Sequence, residues 1–446
     1  MAVSNSTPTP AATPTLRRVI GVAGLAAAIF NITVGAAIFV LPAHVAASLG
    51  AAAPIAYIIC AVAMALLALC FAEAGSRVSR SGGPYGYIEA AFGPYLSFVC
   101  GVLLWVGITL AMAAVSTVFA DAVAALAPSL GGSVPRGILL VVMLGALAAV
   151  NVRGADVGSR LSAISTVAKI APLVAFVLLG VPHVQSANIA IAALPPLSTL
   201  GPASLLLMFA FLGMEAALQV SGEVANPARS VPRAIALALL GVTILYISIQ
   251  LVAQGVLGAA LAAPETAKAP IAAAAQTFAG AAGSRLILVG MVISIFGFMT
   301  ATMLSTPRTL FALAADGYLP RALARVHPEY RTPHIAIGVE AVIVALLALS
   351  GTYVKLAVLA NVTILLVYLA CAISAWRLRR VNVRAEGEPF VMPAGNVVPW
   401  LAAALVVALL ASATATEWLV TGAVVAASTI GFLARARRAR RQSAAA

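Results

Sequence analysis

Charge is scarce in this chain. Only 9% of its 446 residues are charged and 63% are hydrophobic, where an ordinary soluble domain carries about 25% charge. Mean hydropathy is +1.08. No soluble core absorbs that much apolar surface, so lipid must solvate a large part of it. Acidic residues are the scarcer sign, 13 against 26 basic, for a net charge of +13. The basic residues stand at the ends of apolar runs and in the C-terminal tail, which excludes a nucleic-acid partner. Aromatic residues are few and alanine is abundant, a composition suited to close helix–helix contact through small side chains. Four cysteines (Cys60, Cys70, Cys100 and Cys371) all fall in apolar runs, without metal-ligand spacing and without an extracellular loop to offer a disulfide pair. They read as small packing residues. There is no metal cluster, nucleophile elbow or phosphate loop, and no loop long enough to fold as a catalytic domain. An enzyme is excluded on these grounds, and no cofactor or metal is expected.

What the chain does have is apolar runs of membrane length. A spanning helix needs about 20 apolar residues. Twelve candidates are present, at 17–48, 52–76, 88–127, 136–152, 158–181, 199–224, 231–258, 283–313, 333–350, 353–376, 396–411 and 414–434. The segment 264–282 reads as an extracellular loop with a short helix. Residues 1–16, rich in Ser, Thr, Pro and Ala, read as a disordered cytoplasmic tail. The apolar run that follows is too long for a signal-peptide core of about 7–15 residues and is read as a retained first span. With the N-terminus placed in the cytoplasm, Arg136, Lys268, Arg285 and Lys355 fall outside and Lys169 falls within a span; the remaining 21 of the 26 basic residues fall inside. This is the asymmetry that sets membrane topology. It predicts that both termini are cytoplasmic, in the plasma (inner) membrane. The basic run from Arg435 to Arg441 is expected to lie against anionic lipid.

Two spans carry weak points. Span 1 reads NITVGAAIFVLP from Asn31 to Pro42, and span 6 has Gly213 in an irregular setting. An unpaired backbone group in hydrocarbon costs several kcal/mol, roughly, so a glycine interruption there needs a reason. Gly-interrupted helices at corresponding places in two halves point to an inverted-repeat transporter. The broken ends offer N–H groups to a carboxylate and carbonyls to a cation, and a zwitterionic amino acid presents both groups.

Several motifs carry a family resemblance. VGAAIFVLP in span 1, FAFLGMEAALQVSGEVANPARSVPRAI across span 6 and the loop after it, AEAGSRVSRSGGPYGYIEAAFG between spans 2 and 3, and RTLFALAADGYLP at the end of span 8 occur in order. They resemble the signatures of the amino acid–polyamine–organocation (APC) superfamily, over about residues 17–380. The resemblance implies an all-α integral membrane protein with 12 transmembrane helices: a LeuT-like 5+5 inverted repeat, at 17–181 and 199–380, with two extra C-terminal helices at 395–434 and a basic tail at 435–446. Where the family has a second glycine in span 1, this chain has Ala37, which narrows the carboxylate cradle.

The resemblance also implies a substrate site. Thr33, Gly35, Ala36, Ala37 and Ile38 would come from span 1, Gly107, Ile108 and Met112 from span 3, and Phe209, Ala210, Phe211, Leu212 and Gly213 from span 6, with Phe209 covering the substrate. Lys169 lies about ten residues from either end of span 5, roughly 15 Å deep at 1.5 Å per residue, too deep to snorkel. The resemblance puts it where sodium sits in relatives, as a proton-coupling candidate; the other reading is a structural lysine tied to the carbonyls of span 1. Glu215, on the far side of the span-6 break, is the second. Glu73 is expected to pair with Arg77, Glu223 and Asn226 to close the inner end of span 6, and His44 and His183 to be loop histidines. Asp121 and Glu340 have no assigned role. None of the pocket side chains from spans 1, 3 and 6 is charged, which favours a neutral substrate over an arginine or polyamine. The function expected is secondary active transport of a neutral amino acid by alternating access, coupled to protons. An amino acid exchanger or a cationic amino acid or polyamine transporter is the alternative, and a non-transporting membrane sensor lies further off.

Overall fold

The computed structural model describes residues 21–78, 84–153, 169–213, 227–384 and 388–445, and among these there are helices and turns but no strand. Hydrocarbon allows little else, because a helix satisfies its own backbone within one segment. Seven helical stretches are long and apolar enough to cross a membrane, and shorter apolar helices accompany them. In chain order the helices are α1 (Val22–Thr33), α2 (Leu41–Leu49), α3 (Ala53–Arg77), α4 (Pro84–Phe92), α5 (Pro94–Leu126), α6 (Ser133–Arg153), α7 (Lys169–His183), α8 (Leu197–Leu207), α9 (Pro227–Leu257), α10 (Pro270–Ala315), α11 (His334–Ser350), α12 (Tyr353–Arg380), α13 (Val398–Leu410) and α14 (Ala415–Ala445). Prolines open α3, α5, α10 and α13. Proline lacks only an N–H that the first turn leaves unpaired in any case.

Among the described residues the structure differs from the expected spans at three places; 158–168 of the fifth expected span and 214–224 of the sixth lie outside them. The expected third span is two helices, α4 and α5, separated by Gly93 at φ 86. A left-handed residue there lets the chain change direction in one step. The stretch read as a loop with a short helix before span 8 is helical from Pro270, and it joins the span directly through one kinked residue, Gly280, at φ 62 and ψ −161. At the other end, α14 continues as helix past Ala434 to Ala445 rather than ending where the basic tail begins.

Helix α5 runs along α12 and α10, and α9 runs along α1 and α3. The close approach of α5 to α12 depends on Gly107, where an added Cβ would lie 2.5 Å from Ile364 Cγ1 and 2.7 Å from Thr363 Oγ1. In the apolar windows of these helices, 67% of α5 and of α12 is buried, against 11% of α14, so α14 is peripheral. The four cysteines are buried and free.

Candidate functional site

Helix α1 stops at Thr33. Val34 leaves the helical region at φ −73 and ψ 84, the Gly35 N–H turns back to the Thr33 carbonyl at 2.8 Å, and a single 3-10 turn covers Ala37–Phe39 before α2 begins at Leu41. Pro42 sits in the first turn of α2, where its missing N–H costs nothing. The polar and small residues of NITVGAAIFVLP therefore mark an interruption of the helix, flanked by a stop at Thr33 and a restart at Leu41.

The second weak point is at the end of α8; residues 214–226, which follow it, lie outside the described residues. Helix α8 tightens into a 3-10 turn over Met208–Phe211, Leu212 is extended at ψ 158, and Gly213 adopts φ +108. The two breaks meet: a Cβ on Gly213 would lie 3.1 Å from Ile32 Cγ2, and the two 3-10 turns touch.

Interrupting a helix leaves carbonyls without their N–H partners. Side chains from four other helices donate to carbonyls at and around the two breaks. The Tyr246 hydroxyl of α9 donates toward both Thr33 O, at 2.9 Å, and Ala210 O, at 3.1 Å, so one phenol bridges the two breaks. Lys169 Nζ donates to Asn31 O. Asn361 of α12 donates to Leu205 O at 2.6 Å and reaches Leu206 O at 3.3 Å. Gln250 of α9 donates to Pro42 O at 3.4 Å and accepts from the Tyr57 hydroxyl at 3.1 Å. The Cys60 thiol lies 3.3 Å from Ser204 O.

Sequence reasoning found Lys169 but missed Tyr246, Gln250 and Asn361. A signal was available: Tyr246, Gln250 and Gln254 recur every fourth residue in an apolar helix and so share one face.

The expected site residues are distributed as follows. Thr33, Ala36, Ala37 and Ile38 are buried at the first break, and Phe209, Ala210 and Phe211 at the second. Gly35 and Leu212 are half-buried beside them. Gly107 faces Thr363 and Ile364 of α12, which fill the space around it. Ile108 is half-buried. Met112 is fully buried one turn before Ser116, whose hydroxyl is 4.0 Å from the Met299 sulfur of α10. Glu215, Glu223 and Asn226 lie outside the described residues.

Two acids without an assigned role have partners. Glu340 accepts from Trp105 Nε1 at 3.0 Å and lies 3.0 Å from Thr109 Oγ1, both on α5. Asp121 pairs with Arg136 at 3.3 Å. His44 corrects the expectation of a loop residue: it lies within α2 and stacks on Tyr353 at 5.9 Å. His183, in the turn that ends α7, stacks on Phe278 at 5.4 Å. Five buried oxygens near the breaks have no hydrogen-bond partner among the described residues: Asn31 Oδ1, Thr33 Oγ1, Ser204 Oγ, Asn361 Oδ1 and the Tyr353 hydroxyl.

Comparison with known proteins adds an independent line. The family described as Amino acid permease matches residues 20–434. The chain is 29% identical over 405 residues to the serine/threonine exchanger SteT of Bacillus subtilis (strain 168), covering 87% of this chain and 89% of that one. It is 28% identical over 429 residues to a methylthioribose transporter of the same organism, covering 91% and 90%. It is 26% identical over 408 residues to the branched-chain amino acid permease BcaP, again of that organism, covering 87% and 86%.

Proposed function

The chain belongs to the amino acid permease family, and from that premise we propose that it carries a neutral amino acid across the plasma membrane by alternating access, with proton coupling at Lys169. The chain is a multi-pass membrane protein and an amino acid transporter; the substrate class, the coupling and the twelve-span LeuT-like arrangement with cytoplasmic termini are the proposal. The observation that carries it is the pair of interrupted helices held together by one hydroxyl, Tyr246 to Thr33 O and Ala210 O. A zwitterion suits such a place. The N-terminal end of α2 and the turn before it offer backbone N–H groups and a positive dipole end to the carboxylate. The carbonyls that end α1 and α8 accept from the ammonium. Phe209, Ala37 and Ile38 leave an apolar surround for a neutral side chain.

Lys169 stands beside this site with its ammonium on Asn31 O. A charge is costly to keep in low dielectric, so an amine there is suited to taking up and releasing a proton. Glu215 is the second proton-coupling candidate, placed by sequence beyond the Gly213 break. The basic residues from Arg435 onward suit contact with anionic lipid headgroups.

A second reading, exchange of one amino acid for another, is favoured by the name of one relative, a serine/threonine exchanger. The two readings separate in proteoliposomes. Proton symport concentrates substrate when the external pH is lowered, with nothing inside; exchange requires preloaded internal substrate. The panel should include methylthioribose, for which another relative is named. Binding without flux would instead support a sensor. Under symport, Lys169→Ala is expected to leave a folded protein that equilibrates substrate but no longer accumulates it in response to pH. Accumulation equal to the parent's would remove Lys169 from the coupling role.

A further inference from the structure

Three tyrosines crowd the region where the broken helices meet. Tyr57 is on α3, Tyr246 on α9, and Tyr353 opens α12; they are 0%, 0% and 7% exposed. Tyr57 and Tyr246 meet edge to face at 6.4 Å between ring centroids. Each has one hydroxyl hydrogen to give. Tyr57 gives its hydrogen to Gln250, and Tyr246 gives its hydrogen to the carbonyls of the two breaks. Tyr353 gives its hydrogen to no group among the described residues.

Leaving a buried hydroxyl unpaired is costly, and a polar atom arriving in the site would recover that cost. The setting of Tyr353 shows where that atom would come from. Its ring stands edge-on to Phe209 of the second break, 5.9 Å between centroids at 87°. Its other neighbour is His44 of α2, the helix that leaves the first break. Tyr353 thus stands between the 3-10 turn that ends α8 and the helix α2 that leaves the first break, with its one polar atom unused. A second unpartnered hydroxyl, Thr33 Oγ1, lies at the end of α1 itself.

We propose that the Tyr353 hydroxyl is a specificity-determining contact for the substrate side chain, and that it selects small neutral amino acids bearing a hydroxyl. This rests on the reading that an amino acid binds at the two breaks. A cationic side chain would find no opposite charge among Phe209, Tyr246, Tyr353, His44 and Lys169. A purely aliphatic side chain would leave the phenol unpaired. A hydroxyl can accept from Tyr353 and donate in turn, so it satisfies both groups.

Threonine and valine differ by a hydroxyl in place of a methyl and are nearly equal in shape, so they isolate this contact. In proteoliposomes, wild-type uptake of threonine is expected to exceed that of valine by about tenfold in kcat/KM, the worth of one good hydrogen bond. Tyr353→Phe should lower the threonine-to-valine ratio from about tenfold to about one. A melting temperature close to the parent's shows that the variant is folded. A threonine-to-valine ratio in Tyr353→Phe equal to the parent's overturns the proposal, and so does a parent that prefers valine. Equal loss of both substrates overturns it as well, because the phenol would then be structural. Thermal stabilisation of the purified variant by each amino acid gives the same comparison without flux. If the parent neither binds nor carries any amino acid, the underlying reading of the site fails instead, which is a different result.

Discussion

A carboxylate inside an apolar helix has to be held, and Glu340 shows how a single residue is accommodated. It is fully buried on α11, with the Trp105 indole N–H at one oxygen and the Thr109 hydroxyl at the other. Thr109 Oγ1 also lies 2.9 Å from Trp105 O, so the group is a closed network between α5 and α11. Its role is to fix those two helices side by side, at the same helix α5 that presses Gly107 against α12. A glutamine has the same shape and keeps an acceptor for the indole. Glu340→Gln is therefore expected to melt close to the parent in detergent. Glu340→Ala leaves the indole N–H and the threonine hydroxyl without their common partner, at a cost of about 1–3 kcal/mol. If both variants lose transport while keeping the parent's melting temperature, Glu340 acts in the transport cycle and not in joining α5 to α11.

At the level of the helices, the two glycines at the interruptions are not equivalent. Gly213 has φ +108, a region that costs an L-residue strain, and its missing Cβ points at Ile32. Gly35 lies outside the left-handed region, and the atom nearest to its missing Cβ is Thr33 O at 3.9 Å. Gly213→Ala should therefore lower the melting temperature, by the equivalent of about 1–3 kcal/mol. Gly35→Ala should melt with the parent and lose substrate affinity, because the added methyl occupies the approach to the backbone. The reverse pattern would show that the first break needs glycine for conformation. This difference also shows what the sequence could reveal. The run around Gly35 announced a break because polar and small residues interrupt an apolar helix, and proline marks its restart. The spans were legible as apolar length, which hydrocarbon demands locally. The donors that close the broken ends were not legible in that way. Tyr246 lies 213 residues from Thr33, and Asn361 lies 156 residues from Leu205. Such pairings are decided by how whole helices pack. The split at Gly93 and the kink at Gly280 were missed for another reason: each is one residue wide inside an apolar run, and hydropathy averages over it.

Across the whole molecule, a chain held mainly by apolar contact in an apolar solvent gains little from the hydrophobic effect between its helices, so polar ties carry much of its specificity. One such tie among the described residues joins three distant parts at one end of the bundle. Glu73, in the last turn of α3, is fully buried and receives Arg77 Nε at 3.0 Å and Nη2 at 2.8 Å on one oxygen. Its other oxygen receives the backbone N–H of Met392, at 3.1 Å, from the connection between α12 and α13, and Arg379 Nη1 of α12 at 3.4 Å. The Phe390 N–H donates to Ser76 Oγ at 2.9 Å, and Arg77 Nη1 reaches Val383 O at 3.3 Å, which ties the connection to α3 again. The expected Glu73–Arg77 pair is thus the centre of a larger cluster. Removing the carboxylate strands a guanidinium in a residue only 4% exposed, and breaking a buried pair from one side costs about 3–5 kcal/mol. Glu73→Ala should fall well below the parent in melting temperature. Arg379→Ala removes a side chain that is 27% exposed and contacts Glu73 at the longest of these distances; it should cost under about 1 kcal/mol. Lys169→Ala, measured beside them, separates stability from transport: losing the donor to Asn31 O should cost about 1–3 kcal/mol, while the protein that remains folded should lose accumulation altogether. A Glu73→Ala protein that melts with the parent would mean that apolar packing alone holds α3, α12 and the connection to α13 in register.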